Sequence, residues 1–367
     1  MKFAARYLEL SRSELESRAQ QAYEIYRECR VCPHACEVDR TQGQTGYCGQ
    51  TDLLRVSSSV RHFGEEPPLV GTGGVGNLFV TACNMRCDYC QNFQISQLWK
   101  NPTDAVSLEQ SWLSTAQQML RLQEEGVHFI GWVSPSHVVP GLLKSLSLAR
   151  EMGLKIPIIY NTNGYDALPT LKLLDGVVDI YLPDLKYAHS ATAKKISHIQ
   201  EYPEFSRQAV LEMYRQVGPL EIGEDGLAQR GLLVRHLLLP EDYAGTWETL
   251  CFIALELSPS VPLSLMSQYR PVHKAALLAG GANFHLRSKS SNLDSNFSAE
   301  PLLNREISRE EYERAITMAR ELGFESLYLQ SMEATVHNLP DFNNTENPFP
   351  LDRTHNQENS RAGQPSG

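Results

Sequence analysis

No stretch of this 367-residue chain approaches the roughly 20 consecutive apolar residues that a membrane-spanning helix requires. Basic charge is short as well. The 33 Lys and Arg stand against 43 Asp and Glu, a formal net charge of −10, so no overall positive field draws nucleic acid or an anionic membrane surface. The opening MKFAARYLELSRSELESRAQ has charges scattered through it and no unbroken apolar run, which excludes a secretory signal peptide. No short internal repeat is visible. These absences point to a soluble, cytoplasmic protein with no nucleic-acid or membrane partner. The glycine motif GTGGVG at 71–76 lacks the helix that a dinucleotide-binding loop must open, since a strand follows it; it reads as the entry to that strand.

What the chain does have is cysteine in two groups. Of eight cysteines, seven are clustered and only Cys251 stands alone, among apolar helix residues where a small buried hydrophobe is expected. In a reducing cytosol such short spacings favour metal over disulfides. Cys83, Cys87 and Cys90 follow C-x3-C-x2-C with no fourth cysteine within reach downstream. A structural zinc site closes its tetrahedron with four protein ligands, and an electron-carrying iron–sulfur cube also uses four cysteines. Three ligands leave a metal corner open, where a catalytic metal meets its substrate. Cys29, Cys32, Cys36 and Cys48 form the other group, C-x2-C-x3-C-x11-C, with glycines at 43, 46 and 49. Four thiolates suit a closed structural site, either zinc or a second iron–sulfur cluster. His34 lies between these ligands and reads as a loop histidine.

The rest of the text alternates apolar strands with amphipathic helices, which predicts a parallel sheet with helices outside, a barrel or a doubly wound sheet. Strands are read in NLFVTA, HFIGWV, IPIIYN, VVDIYLPDLK, GLLVRHLLLP, PLSLMSQY and FESLYLQ. Helices between them start at capping boxes Ser107–Gln110 and Ser308–Glu311, and a long helical connection is expected over about 190–217. The organisation reads as an N-terminal helix (1–28), a Cys-rich metal-binding module (29–69), a barrel (70–335) and a polar tail (340–367) expected to be disordered. In such folds functional groups collect at the C-terminal ends of strands. The three cysteines follow the first parallel strand directly. Ser134, Asn163, Asp184 and Lys186 end later strands, and Arg235 lies within one.

With the cysteine spacing and the aromatic Tyr89 before the last cysteine, the chain resembles the radical S-adenosyl-L-methionine (SAM) superfamily. YCQN, YNTNGY at 160–165, PDLK at 183–186 and LLVRHLLLP at 232–240 resemble motifs of pyruvate formate-lyase activating enzymes, in order, over about residues 70–280. The Cys-rich N-terminus together with these motifs resembles an uncharacterised branch of activating-enzyme-like members. The resemblance implies a partial (β/α)6 barrel of the open TIM-like type and a 4Fe-4S cluster on Cys83, Cys87 and Cys90. It also implies S-adenosyl-L-methionine at the open iron, cleaved reductively to a 5′-deoxyadenosyl radical that abstracts hydrogen. Asp184 would then accept from the ribose or amine, and Lys186 and Arg235 would pair with the carboxylate. Asn92 and Asn163 would supply polar contacts, and Tyr89 would pack near the adenine. An electron donor such as flavodoxin or ferredoxin is implied as a partner. One departure stands out: where many members have Gly-Gly-Glu after the second strand, this chain has GWVSPSH, leaving Ser134, Ser136 or nearby carbonyls to hold the SAM amine. The substrate is open. Glycyl-radical-enzyme activation, with a protein substrate, is one alternative, and a non-catalytic iron–sulfur redox sensor is another. The segments 187–231 and 285–306 are long enough to serve as lids or docking surfaces.

Overall fold

The computed structural model describes residues 4–99, 107–276, 301–332 and 339–349, so residues 285–300 of the expected polar lid lie outside the described residues. Helix α1 (Arg12–Glu24) begins at Ser11, whose side chain accepts from Glu14 N, and buries Leu15, Ala19 and Ala22. The Cys-rich stretch follows with only short 3-10 turns. Strand β1 (Val56–His62) then runs antiparallel to β2 (Val75–Val80), with the short helix α2 (Pro67–Val70) between them. Residues 56–69 thus belong to the sheet and not to the Cys-rich module, a correction to the boundary at 69. The text there, LLRVSSSVRHFG, reads as a short β-like run, but its serines and charged residues give no continuous apolar stretch that would tie it to the parallel sheet.

From β2 onward the arc is parallel. Helices α3 (Phe93–Ser96) and α4 (Leu108–Glu124) lead to β3 (Phe129–Val133), α5 (Val139–Glu151) to β4 (Ile158–Thr162), and α6 (Leu168–Leu173) to β5 (Ile180–Pro183). The expected long helix is two, α7 (Ser190–Ser197) and α8 (Tyr202–Val217), divided where His198 turns into the left-handed region at φ 60°. A small strand β6 (Glu221–Ile222) pairs antiparallel with β7 (Ala228–Leu232), and β8 (Val234–Leu237) follows almost directly. Helix α9 (Thr246–Phe252), β9 (Leu263–Met266), α10 (Arg309–Glu321) and β10 (Leu327–Leu329) follow among the described residues. Both capping boxes are formed.

The strand orders are β1-β2-β3-β4-β5-β7-β6 and β10-β9-β8. The parallel bridge Asp184↔Arg235 joins β5 to β8, which makes one arc from β1 to β10. Six strand–helix steps therefore precede a seventh parallel strand. Among the described residues, β1 and β10 each have a single strand neighbour, so the barrel is open between them.

Alternation along each strand sorts the core into two layers. Leu78, Val80, Ile130, Trp132, Ile158 and Tyr160 face outward, packing with helix residues such as Leu142, Leu146 and Met119. Val75, Phe129, Ile159, Ile180, Leu182 and Leu233 face inward and fill the lower barrel. Each such side chain contributes about 1.5–3 kcal/mol on leaving water. With the bottom filled, space for a ligand remains only at the C-terminal rim. The N-terminal segment is tied beneath: the Asp179 carboxylate accepts from Arg6 N and Ile158 N, both at 2.8 Å. No helix among the described residues is long and apolar enough to cross a membrane.

Candidate metal and cofactor site

The chain leaves β2 at Val80 and turns at Ala82, which has φ 69°. The loop that follows is held by backbone bonds: Ala82 N to Ile95 O (2.8 Å), Asp88 N to Ile196 O (3.0 Å) and Ala275 N to Asp88 O (3.0 Å). These three contacts fix a loop with little regular structure and set its cysteines at the barrel rim. The residues singled out from the sequence for the cluster or for SAM line one cavity of about 220 Å³ there, except Ser136, which is buried with its Oγ 3.2 Å from Thr162 Oγ1. Cys83, Cys87, Cys90, Tyr89 and Asn92 come from the loop. Ser134, Asn163, Asp184, Lys186 and Arg235 come from the ends or interiors of four strands.

The sulfurs have polar company. Cys83 Sγ accepts from Met85 N (3.3 Å) and Asn163 Nδ2 (3.4 Å), and Cys87 Sγ accepts from Ser197 Oγ (2.9 Å). Cys90 Sγ lies 3.2 Å from Ser96 Oγ. Such donors stabilise thiolate over thiol and are the contacts that tune an iron–sulfur cluster. Burial works the other way: it pushes the Cys83 thiol up to about 12 and the Cys87 thiol up to about 11, and raises Cys90 too. Only a bound cation would make all three anionic at neutral pH.

Among the described residues no three His, Cys, Asp or Glu side chains are set to hold a metal ion as they stand. A single zinc ion requires its sulfurs at about 2.3 Å from one point. A four-iron cube takes each thiolate on a different iron, so its sulfurs stand wider apart. The trio at the rim, with its N–H and O–H donors and its adjoining cavity, fits the cube.

The Lys186 ammonium donates to Asp184 at 2.6 Å, with the side chains 12% and 20% exposed, so this is a pair inside the cavity wall and not a surface ion pair. The Tyr202 hydroxyl locks the turn between them, accepting from Lys186 N (2.9 Å) and lying 2.8 Å from the carbonyls of Asp184 and Asn163. Asn163 is committed to the loop through Cys83 and through Asn84 Oδ1 (2.8 Å). Tyr89 is 5% exposed, accepts from the Tyr187 hydroxyl (2.9 Å) and packs edge-on against Tyr269. Ser134 has φ 54°, and its N–H is taken by Asn161 O (2.8 Å).

Arg235 is already engaged. The two-pronged bond expected for a ligand carboxylate is made within the chain: Nε and Nη2 donate to the two oxygens of Glu66 at 2.8 and 2.5 Å, and Nη2 also reaches Glu65. Sequence reading missed both acids because they were placed in the Cys-rich module, far from the barrel. Burial disfavours the charge of Glu65, but the Arg235 guanidinium, helped by His62 and by a bond from Asn77 Nδ2 (2.8 Å), holds its carboxyl down at about 2. Asn77 can point inward because its neighbour across the sheet is Gly131, where a Cβ would lie 2.1 Å from Asn77 Oδ1. Glu65, Asn77 and His62 all line the cavity.

The four-cysteine module folds as tight turns. Glu37 N donates to Cys29 O (3.1 Å), Ala35 N to Cys32 O (3.0 Å), and Ala35 and Glu37 both have positive φ. Tyr47 N donates to Cys36 Sγ (3.3 Å). Gly46 is required there, since a Cβ would come within 2.6 Å of that sulfur. Arg40, 1% exposed, reaches Thr51 O through Nε (2.9 Å), His137 O through Nη1 (2.7 Å) and the Cys29 sulfur at 3.9 Å, and lies over the Tyr26 ring. The four thiols are not gathered around one point, so a tetrahedral zinc arrangement is not formed as they stand. His34 is a connector: its Nε2 lies 2.9 Å from Asn84 O in the other cysteine loop, and its ring stacks on Tyr47 at 3.8 Å. Cys251 is half-buried on α9, less enclosed than expected. If this module holds a metal of its own, the Cys83/Cys87/Cys90 triple alanine variant retains zinc or iron by elemental analysis. A metal-free variant with four titratable thiols in the module would remove the site.

No family model matches the chain. It is similar to the uncharacterized protein MJ0674 of Methanocaldococcus jannaschii, 26% identical over 318 residues, covering 86% of this chain and 80% of that one. It is also similar to the uncharacterized protein MJ0808 of the same organism, 27% identical over 172 residues, spanning 43% of this chain and about half (49%) of the relative. Among solved structures, Streptococcus suis SuiB bound to precursor peptide SuiA aligns with a TM-score of 0.42 and 9% identity, over 71% of this chain and 50% of that one. A radical SAM methyltransferase from Sphaerobacter thermophilus aligns with a TM-score of 0.40 and 14% identity, over 68% and 65%. The chain thus spans less than two thirds of either structure's length.

Proposed function

We propose that the chain is a radical SAM enzyme acting on a substrate still to be identified. The observation that carries this reading is the meeting, in one cavity, of the open three-cysteine loop with the Asp184–Lys186 pair and the Glu65–Glu66–Arg235 cluster. A sensor that only carried a cluster would have no use for buried, oppositely charged groups beside it. When bound, the 4Fe-4S cluster and SAM supply a low-potential electron, a reducible sulfonium and the means of hydrogen abstraction.

The chain's own residues hold and orient. Cys83, Cys87 and Cys90 would carry the cluster, with Asn163 and Ser197 donating to their sulfurs. Asp184 and Lys186 would exchange part of their mutual bond for the ribose, amine or carboxylate of SAM. Arg235 would fix Glu65 as a permanent anion facing the cavity. The closed lower barrel and the aromatic packing of Tyr89, Tyr187 and Tyr269 would keep water from the reacting atoms. The reductant would be a small one-electron carrier protein such as flavodoxin or ferredoxin.

The test is anaerobic incubation of the reduced, iron-loaded protein with SAM, with 5′-deoxyadenosine and methionine as expected products. Asp184→Ala and Lys186→Ala should each weaken SAM binding about ten- to a hundredfold, as loss of a hydrogen bond to a charged group does. Iron content should be unchanged in both. S-adenosylhomocysteine without deoxyadenosine would count against the proposal.

A further inference from the structure

Residues 339–349 form a folded strap, and its position bears on the substrate class of the site just proposed. The strap closes on itself through Asp341 N to Pro348 O (2.8 Å), Asn344 N to Asp341 O (3.1 Å) and Asn347 N to Asn344 O (3.2 Å). One side chain of α3 latches it in both directions: Gln94 Nε2 donates to Asp341 Oδ1 (2.9 Å), and Phe342 N donates to Gln94 Oε1 (2.7 Å). Ser58 Oγ on β1 donates to Thr345 O (2.6 Å). The rings of Phe342 and Phe349 lie 5.1 and 5.6 Å from Phe79 on the inner face of β2, and Phe349 also lies 4.4 Å from His62. Both phenylalanines are nine-tenths buried or more. This corrects the expectation of disorder for the part of the tail that is described.

We propose that this strap is the substrate-side wall of the reaction cavity, and that it restricts the substrate to a small molecule with an apolar face. The inference rests on the radical SAM reading of the cavity. Phe349 and Pro340 line the cavity with Phe79 and Val133, giving it an apolar side, while Glu65, Asp184 and Lys186 give it a charged one. One route for a loop of a folded partner is the open edge of the barrel. There the strap covers the inward side chains of β1, Val60 and His62. Gln94 follows Cys90 by four residues, so the wall is fastened to the loop that carries the cysteines. The apolar side is the part of the cavity left for a substrate once the charged side has taken the cofactor's polar groups.

Two measurements on the iron-loaded protein test this. Amide hydrogen exchange should show Phe342, Asn344 and Asn347 protected, and Gln94→Ala or Phe342→Ala/Phe349→Ala should speed their exchange at least about tenfold while the barrel strands are unaffected. Equal exchange in variants and wild type would overturn the latch. For the size limit, Met266→Cys on β9 places a reporter thiol in the cavity wall. Iodoacetamide should label it, whereas a maleimide carried on a polyethylene glycol chain should not unless Phe342 and Phe349 are replaced or the chain is ended at residue 338. Labelling by the polymer with the strap intact, or exclusion of the polymer after its removal, would overturn the wall. Iron content and deoxyadenosine formation on the same preparations report separately on the cofactor reading. A chain without a cluster would fail those two assays and still show the strap's protection.

Discussion

Replacing Cys83, Cys87 and Cys90 together by alanine is expected to abolish the rim cluster and all SAM cleavage, the largest functional effect available by mutation. A cube offered fewer than three protein thiolates has more than one open iron corner, and exposed corners lose iron to water and chelators. Cys87→Ala alone should suffice. The loop itself should survive, because backbone bonds to Ile95 O, to Ile196 O and from Ala275 N hold it without help from the sulfurs. Iron analysis and low-temperature electron paramagnetic resonance of the reduced protein provide the check, with any signal from the N-terminal module subtracted. A triple variant that kept the full low-potential signal would dissociate these cysteines from the cluster.

The largest effect on stability is expected at Arg235. Its removal leaves Glu65 and Glu66, with side chains only 7% and 6% exposed, without the guanidinium that pairs with both. Breaking a buried pair in this way costs about 3–5 kcal/mol. Arg235→Ala should therefore unfold at clearly lower denaturant concentration, and adding Glu65→Gln with Glu66→Gln should recover part of the loss. The pH dependence separates this cause from simple loss of packing. In the wild type the Glu65 carboxyl is depressed to about 2, so its contribution is in place above the ordinary glutamate value of about 4.3 and is lost as pH falls toward 2. In Arg235→Ala, burial raises the Glu65 carboxyl instead, so the variant loses stability as pH rises. The gap between the two proteins should narrow on acidification. A gap that stayed constant between pH 7 and pH 3 would mean that Arg235 acts through shape alone.

Much of this was legible in the sequence, for identifiable reasons. The parallel strands announce themselves because they are buried on both faces, so NLFVTA, HFIGWV and IPIIYN read as nearly unbroken apolar runs. The polar residues that end them line the cavity because the ends of parallel strands share one rim. Glu65 and Glu66 were hidden because their partner Arg235 lies about 170 positions away, and no local pattern predicts such a pairing. The strap was hidden by composition: DFNNTENPFP is mostly polar, and its two phenylalanines stand without the further apolar residues that would mark a helix face or a strand. The break between α7 and α8 combines a left-handed histidine, which no local pattern announces, with Pro203 in the first turn of α8, a start signal that the sequence does carry.

Arg40 places a constraint on charge balance. A guanidinium cannot give up its proton, yet this one is enclosed with backbone carbonyls, an aromatic ring and a cysteine sulfur as its only described partners. Carbonyl dipoles solvate a cation but do not neutralise it. The neutralising charge has to come from the sulfurs, and four thiolates on a divalent metal or on an iron–sulfur cube leave the assembly net negative. With the thiols protonated, the same enclosure isolates a positive charge from water, at a cost of several kcal/mol. Arg40 would thus be balanced if the module held a metal on its thiolates. Stripping the metal should open residues 29–50 and, through His34 and Tyr47, loosen the second cysteine loop on which they rest.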